Sequence, residues 1–431
     1  MDDAARPPAP TGRDPLVMAL LVCGFVLTSV TYGRHQASPD LLATWMAADA
    51  FARGAWDAIY AGSDGLFTMR PPEAWVAPLR AAGHDAAIYP YVYPPLWAWL
   101  VSGLTHVTDY AAFRTVASVV NPLLLAGTVW LAARAAGDGV RRLTFVLTGL
   151  VLMAVSLAGV VAIEQNQPAI LVGFLLVLAV ERDRAGHPVA AGTALAVAAA
   201  LKLYPAVFVL IWLARGRWRP AAAFAGVGGT LGLVSLAVGG WDLHMAFLAE
   251  VRAISSTVLT TYFTWNLDST VWTLLRPEGS QFVPDISATA EGAGWTVLTK
   301  PPLWALFDKA ALAGFAVALW AAARRTDDAI LWPLAFAGLA LISPLTWGYH
   351  YLPALAFLPA LALCHGRAGA WITLAAVAPV SVAAISLPSW ALWAQPGGTL
   401  AMAAMTAGFG AAAFGALVGD RATLRRVSQP L

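Results

Sequence analysis

The chain has 431 residues, of which 59% are hydrophobic and only 12% are charged, and its mean hydropathy is +0.68. This composition excludes a soluble globular protein, and a formal net charge of +2 is too small to indicate nucleic-acid binding. Because the apolar runs are continuous rather than alternating, the sequence predicts an all-α fold, a polytopic transmembrane helical bundle.

The chain begins with a polar stretch before its first apolar run. The residues MDDAARPPAPTGRDP carry both charge signs and four prolines, which predicts a disordered cytoplasmic tail over 1–14. The apolar run that follows lacks a small-residue cleavage site and precedes many more such runs, so it is expected to be a retained helix rather than a signal peptide. A single transmembrane domain is predicted over 15–420, with a cytoplasmic tail at 421–431.

The apolar runs predict about 11 to 13 membrane spans. They lie near 15–33, 94–106, 111–133, 143–163, 168–180, 188–214, 220–240, 303–322, 329–348, 350–364, 368–388 and 397–418. Arginines cluster in many of the short connections, which marks those connections as cytoplasmic. The regions poor in basic residues, which are expected to be extracytoplasmic, are 34–93, 164–168 and 241–302.

The first extracytoplasmic segment carries a carboxylate soon after the first helix. Asp40 precedes a stretch, 40–60, in which large apolar residues alternate with small ones, the pattern of a helix lying in the membrane interface. Residues 243–262 repeat this pattern. A transporter usually has short loops here, whereas an enzyme that acts on lipid-linked substrates needs such interfacial helices. A solvated carboxylate is the alternative interpretation of Asp40.

Polar residues also interrupt the apolar runs at four further places. The first is EQNQP at 164–168, whose amides, including Gln165 and Asn166, suit sugar hydroxyls because an amide both donates and accepts. A plain polar turn explains the motif equally well. Another is TWNLDSTVW at 264–272, where Asn266 could reach the same cavity, although an ordinary surface loop is the alternative.

Lys202 lies within a long apolar run, next to a predicted helix break. The run 188–214 has arginines at both ends, and the residues KLYP at 202–205 interrupt it. Pro205 removes a helix hydrogen bond, so we expect two half-helices whose break faces a cavity rather than lipid. A lysine at this depth suits a phosphate group; a lysine that snorkels to the interface is the alternative.

The stretch SPLTWGYHYL at 343–352 separates two further apolar runs. Trp347 and His350 are its most informative residues, since a histidine there can donate to a phosphate or accept a proton. A histidine bonded to a neighbouring carbonyl is the alternative. No paired spacing indicates a metal site, so neither a metal nor another cofactor is predicted.

Together, a carboxylate, a lysine, a histidine and several amides open toward one side of the membrane. Such a set can transfer a sugar from a phosphate leaving group to a hydroxyl, because a carboxylate takes the acceptor's proton and cations stabilise the departing phosphate. A nucleotide-sugar donor is not expected, because the sequence contains no glycine-rich phosphate loop or Rossmann-like stretch.

The order of these motifs resembles glycosyltransferase family 87, of the GT-C superfamily, which includes mycobacterial mannosyltransferases that use polyprenol-phosphate mannose. The resemblance covers roughly 15–365. The motifs that carry it are SPDLLATWMAADAFARGAWDAIY, YVYPPLWAWL, EQNQPAILVGFLLVLAV, AAGTALAVAAALKLYPAVFVLIWLARGRWRPA, TWNLDSTVW and SPLTWGYHYLPAL.

The resemblance implies roles for individual residues. The acid after the first helix, Asp40, would be the catalytic base, and His350 would lie near the donor phosphate. Lys202 and Tyr204 match the family's lysine and proline break, and Tyr93 begins its tyrosine-proline-proline motif. The chain departs from the family pattern at EQNQ and at NLDS, which bear on sugar recognition.

The implied reaction is transfer of a hexose, mannose by family precedent, from a polyprenyl-phosphate donor to a hydroxyl of a lipid or glycan acceptor, with inversion. It would take place on the extracytoplasmic side of a bacterial plasma membrane. A transporter or flippase, which would also use broken helices and a buried lysine, is the alternative from a different class, and a non-catalytic scaffold is a third. The long extracytoplasmic segments favour the enzyme.

Overall fold

The structure is a computed structural model that describes residues 14–62, 65–137, 141–276, 278–287 and 293–418. The tails predicted at 1–14 and 421–431 lie outside this part of the chain, except for Asp14, which begins the first helix. The helices, in chain order, are α1 (Asp14–Gly33), α2 (Pro39–Ala52), α3 (Glu73–Ala81), α4 (Pro95–Thr105), α5 (Tyr110–Ala135), α6 (Arg142–Val155), α7 (Leu157–Glu164), α8 (Ala169–Arg184), α9 (Pro188–Leu201), α10 (Val209–Ala214), α11 (Trp218–Ser256), α12 (Leu267–Leu275), α13 (Pro302–Ala323), α14 (Asp328–Ile342), α15 (Leu352–Leu355), α16 (Leu358–Cys364), α17 (Gly366–Val377), α18 (Val382–Ile385) and α19 (Trp390–Val418).

Short 3₁₀ helices and a small sheet complete the described structure. The 3₁₀ helices are Trp56–Ala58, Tyr204–Phe208, Gly348–Tyr351 and Ala378–Val380. The strands are β1 (Thr257–Thr260), β2 (Gln281–Pro284) and β3 (Gly294–Thr299). They form an antiparallel sheet in the order β1-β3-β2, with Val258 opposite Leu298 and Phe282 opposite Thr296. The predicted helical class is confirmed; the sheet was not foreseen.

Within the described residues, five helices are long and apolar enough to cross a membrane, namely α1, α5, α11, α13 and α19. In α1, α11 and α13, most of the apolar surface is not covered by other parts of the protein, as expected where lipid covers it. The protein is therefore an integral membrane protein. Several predicted spans are instead built from shorter helices, since α6 and α7 follow one another across Ser156, whose backbone is extended (φ −81°, ψ 139°).

The run 188–214 folds as the predicted pair of half-helices. Helix α9 ends at Leu201, Lys202 has an extended backbone (φ −153°, ψ 131°), and the 3₁₀ helix that contains Pro205 leads into α10. The end of α10 returns close to the start of α9, because Arg217, just after α10, lies 2.6 Å from the carboxylate of Asp183, near the end of α8. This return explains why arginines flank both ends of one apolar run.

The apolar run at 94–106 begins with two prolines, which left a full membrane crossing open, and it forms one short helix. Helix α4 has only 11 residues, too few for a bilayer. The chain emerges from it beside the end of α1, where the Tyr110 hydroxyl donates to the Ser38 carbonyl at 3.0 Å. Helix α4 packs against α2 instead, and α2 matches the first part of the helix predicted at 40–60 but ends at Ala52.

A single long helix, α11, joins the predicted span 220–240 to the predicted interfacial helix 243–262. A bend at Gly240 (φ 66°, ψ 172°) divides it, and the helix ends at Ser256, where β1 replaces the rest of the predicted helix. Beyond the bend, Leu243 and Phe247 are buried with Ala43 and Ala47 of α2. This end of α11 therefore shares a hydrophobic cluster with α2, and both helices pack on α4.

Aromatic side chains hold α10 against α14. Phe208 and Trp212 contact Trp332 with ring centroids 6.2 Å and 5.8 Å apart, and Phe208 also meets Phe336 at 5.0 Å. All of these side chains are buried. Since lipid gives little hydrophobic driving force between helices, this close packing is what fixes the break after α9 beside the break that follows α14.

Candidate active site

A cavity of about 480 Å³ lies where α2, the end of α11, the sheet and the two helix breaks meet. This volume suits the headgroup of a small ligand. Seven of the residues predicted to form the site line it, namely Asp40, Tyr93, Gln165, Lys202, Tyr204, Trp347 and His350. They come from distant parts of the sequence, so the fold brings together groups that the sequence analysis could only expect to meet.

Asp40 lies in the first turn of α2, after the chain has left α1. One of its oxygens, Oδ2, accepts a hydrogen bond of 2.6 Å from Nε2 of Gln167. The Gln167 Oε1 in turn accepts hydrogen bonds from the Tyr93 hydroxyl and, at 3.2 Å, from the Ala169 backbone N–H. A connected chain of polar groups therefore runs from Tyr93, just before α4, through Gln167 to Asp40 in α2.

The surrounding protein makes Asp40 unusually basic for a carboxylate. Asp40 lies outside the membrane-spanning helices, and burial raises its pKa to about 7, although the Lys202 ammonium and the Gln167 hydrogen bond both act to lower it. Loss of hydration disfavours the charged form. A carboxylate with a pKa near neutrality is suited to accept a proton during a reaction.

Lys202 and His350 bring the two helix breaks into direct contact. The Lys202 Nζ lies 2.6 Å from Nε2 of His350, and it also lies 5.4 Å and 5.7 Å from the ring centres of Tyr93 and Tyr349. The Tyr204 ring packs edge-on against His350 at 5.7 Å. The aromatic faces stabilise the ammonium group, which is placed at the cavity surface.

Contacts on both ring nitrogens hold His350 in place. Nε2 of His350 faces Nζ of Lys202 at 2.6 Å. Nδ1 faces the backbone of its own loop, where it accepts from the Trp347 N–H at 3.0 Å and lies 3.2 Å from the Trp347 carbonyl. The ring is therefore fixed between Lys202 and Trp347.

The loop that carries His350 is held by the segment after β1. Gly348 donates its backbone N–H to the Phe263 carbonyl at 3.0 Å, and Trp265 donates to the Thr346 carbonyl at 2.9 Å. A Cβ at Gly348 would lie 2.6 Å from the rings of Phe263 and Trp265, so only glycine allows this close approach. The adjacent Trp347 ring lines the cavity and stacks on Tyr349.

The three predicted amides occupy different places. Gln165 lines the cavity, and its buried Oε1 has no hydrogen-bond partner among the described residues. Asn166 is not part of the cavity lining; it bonds the Ser38 and Ser118 hydroxyls at 2.9 Å and 3.1 Å. Asn266 caps α12 and donates to the carbonyls of Ser343 and Pro344. These two amides therefore brace the chain around the cavity.

Two residues near the predicted site were not singled out from the sequence. Gln167, the last residue of the polar motif before Pro168, is the amide that contacts Asp40, and Tyr349 is part of the cavity lining. The signal for Gln167 was its place beside Gln165, but spacing alone did not show which amide would turn toward α2. In the described ranges, no group of three or more His, Cys, Asp or Glu side chains could hold a metal ion.

The chain is similar to crystal structures of ArnT from Cupriavidus metallidurans. ArnT bound to undecaprenyl phosphate is 17% identical, with 95% of this chain and 78% of that chain covered and a TM-score of 0.43. ArnT in the apo state is also 17% identical, with 94% and 77% covered and a TM-score of 0.39. No curated protein matches the chain significantly.

The sequence profile of glycosyltransferase family 87 matches residues 91–344. This range is more than half of the chain, and it contains Lys202 and the motifs on either side of it. The match confirms the resemblance drawn from the sequence and the class of fold that it implies. The chain belongs to glycosyltransferase family 87 and is a membrane glycosyltransferase.

Proposed function

We propose that this glycosyltransferase transfers a hexose, with mannose as the first candidate, from a polyprenyl-phosphate donor to a hydroxyl of a lipid or glycan acceptor, with inversion and on the extracytoplasmic side. The observation that carries the proposal is the cavity that Asp40 lines together with the Lys202–His350 pair. A base and a phosphate-binding cation are the two groups that direct displacement requires.

Asp40 is the proposed general base. The acceptor hydroxyl gives its proton to the Asp40 carboxylate while the hydroxyl oxygen forms a bond to the anomeric carbon of the sugar. At the same time the bond from that carbon to the phosphate oxygen breaks, and polyprenyl phosphate leaves. Among the described residues that line the cavity, Asp40 is the one carboxylate. Retention through two displacements usually requires a second carboxylate, so this lining favours a single, inverting displacement.

Lys202 is the proposed phosphate-binding residue. Its ammonium has three N–H donors, and in the described part of the chain its hydrogen-bond partner is His350 alone. The remaining donors can bind the phosphate oxygens as negative charge develops on the leaving group. His350 orients the ammonium, and Tyr204 and Trp347 form the adjoining surface.

The sugar is proposed to bind between these groups. The unpaired Oε1 of Gln165 at the cavity wall can accept from a sugar hydroxyl, and the Tyr93 and Trp347 rings offer flat surfaces for a pyranose. Mannose rests on the family resemblance. A lipid-linked donor is supported by the membrane-embedded fold, since the lipid can stay in the bilayer while the headgroup enters the cavity.

The test replaces Asp40 with asparagine in purified protein reconstituted with radiolabelled polyprenyl-phosphate mannose and a membrane-glycan extract as acceptor. We expect Asp40→Asn to lower the transfer rate at least about 100-fold, the lower end of what a general base contributes. Asp49→Asn is the matched control, because Asp49 lies on the same helix, pairs with Arg53 at 2.6 Å and does not line the cavity.

Full activity of Asp40→Asn would overturn the assignment of the base. Absence of transfer from any polyprenyl-phosphate hexose by the unmodified protein would overturn the proposed donor. Movement of the lipid-linked sugar across the bilayer without transfer would instead support the transporter or flippase alternative.

A further inference from the structure

We infer that Gln167 is a positioning residue for Asp40, which holds one carboxylate oxygen so that the other is presented to the acceptor hydroxyl. This inference rests on the proposed function of Asp40 as general base. Gln167 itself is buried and is not part of the cavity lining, so it would act through Asp40 rather than on the substrate.

The neighbours of Gln167 fix the orientation of its amide. The backbone N–H of Ala169 can only donate, and it lies 3.2 Å from Oε1 of Gln167. The Tyr93 hydroxyl donates to the same oxygen. Because the oxygen must face these two donors, the NH₂ group must face Asp40, and the contact of 2.6 Å is a hydrogen bond from the amide to Oδ2.

This orientation gives the two carboxylate oxygens of Asp40 different roles. Oδ2 is occupied by Gln167, whereas Oδ1 accepts no hydrogen bond from the residues that the structure describes. The side chain borders the cavity, so Oδ1 is available for the acceptor's proton. A carboxylate held in one rotamer with one free oxygen needs less rearrangement to reach the transition state.

The backbone around both residues is held in an unusual conformation. Ser38, two residues before Asp40, and Asn166, directly before Gln167, are both left-handed, with φ of 56° and 46°. Non-glycine residues adopt this conformation at a cost and persist in it where the surroundings impose it. Here the two strained residues bond one another, since Nδ2 of Asn166 donates to the Ser38 hydroxyl at 2.9 Å.

Further hydrogen bonds fix this pair of strained turns. The Ser38 hydroxyl donates to the Glu164 carbonyl at 3.2 Å, and Asn121 donates to Oδ1 of Asn166 at 3.0 Å. The two turns are thereby joined directly, and Asp40 and Gln167 follow them in the chain. The network thus determines the separation of the carboxylate and the amide, which explains why backbone strain occurs at both positions.

The test compares Gln167→Leu with Gln395→Leu, which removes another buried amide that bonds the Thr264 carbonyl and Thr270, away from the cavity lining. We expect Gln167→Leu to lower kcat/KM for transfer about 10- to 100-fold, as for loss of a hydrogen bond to a charged group. We expect Gln395→Leu to keep the pH dependence of the unmodified protein.

The decisive measurement is the acidic limb of the kcat/KM profile against pH. The Gln167 hydrogen bond lowers the pKa of Asp40, so its loss should move the acidic limb to higher pH. Among the described residues, the other titratable groups that interact electrostatically with Asp40 are Lys202, Tyr89, Tyr93 and Tyr349. Gln167→Leu replaces none of them, although it removes the acceptor of the Tyr93 hydroxyl. If Gln167 had only a structural role, its replacement would reduce the amount of folded protein without displacing the acidic limb.

Gln167→Glu provides a second test in case the leucine variant does not fold. This change keeps the shape of the side chain but places two carboxyl groups side by side, which splits their titration into a lower and a higher step and should displace the acidic limb. An acidic limb unchanged in either folded variant overturns the inference. If the unmodified protein transfers the sugar in the same assay, an unchanged acidic limb contradicts the role of Gln167 alone. If the unmodified protein shows no transfer, the result contradicts the proposed function instead.

Discussion

At the scale of single residues, the pKa of Asp40 predicts how transfer depends on pH. A general base must be ionised, and burial places this pKa at about 7 rather than near 4. Transfer should therefore rise about tenfold per pH unit as pH increases toward 7, where the acidic limb of the profile ends. Steady-state kcat/KM measured from pH 5 to 9 checks this, and an acidic limb centred near pH 4 would contradict it.

The sequence predicted which ionisable residues line the cavity better than it predicted which amides do. Asp40, Lys202 and His350 stood out because a charged or ionisable group near apolar runs needs a physical reason, and all three line the cavity. The amides of residues 165–167 could not be told apart in this way. Which amide faces α2 depends on the left-handed turn at Asn166, a backbone conformation that composition does not reveal.

At the scale of elements, helix breaks could be predicted better than strand pairing. Pro205 and Lys202 interrupt an apolar run, so the break between α9 and α10 follows from local chemistry. The sheet depends instead on contacts between residues distant in sequence, since Thr257 pairs with Thr299 and Gln281 with Val297. Its strands are only 4 to 6 residues long, too short for alternation alone to indicate them.

The bend in α11 gives a prediction at the same scale. Gly240 adopts φ 66° and ψ 172°, a region open almost only to glycine, so Gly240→Ala should cost about 1–3 kcal/mol. The bend places Leu243 and Phe247 in the hydrophobic cluster that includes residues of α2, the helix that carries Asp40, so transfer should also fall. Thermal unfolding in detergent and the transfer assay measure the two effects.

Gly232→Ala is the matched control for the bend. Gly232 lies in the same helix, and a Cβ there would meet nothing within 4 Å. Alanine favours a helix over glycine by up to about 1 kcal/mol, so this variant should be equally or more stable. If Gly240→Ala proved as stable as Gly232→Ala, the backbone strain assigned to the bend would be wrong.

At the scale of the whole molecule, ion pairs gather at the end of the bundle opposite the Asp40 segment. Arg134 pairs with Glu181 at 2.7 Å, Arg184 with Asp327 at 3.2 Å, and Arg215 with Asp328. These arginines are among those that predicted the cytoplasmic side. The carboxylates that pair with them come from α8 and from the start of α14, so the charges also fix how these helices meet.

This arrangement predicts the orientation of the protein in the membrane. The connection after α4 lies beside Ser38, two residues before Asp40, because Tyr110 bonds the Ser38 carbonyl. The connection after α8 lies at the end that contains the ion pairs.

In a variant whose two native cysteines are replaced by serine, Val107→Cys should react with a membrane-impermeant maleimide in intact spheroplasts. Ala185→Cys should react only after permeabilisation, since both positions are exposed and the membrane alone separates them. The reverse labelling pattern would place Asp40 and the cavity on the cytoplasmic side and would contradict the proposed site of transfer.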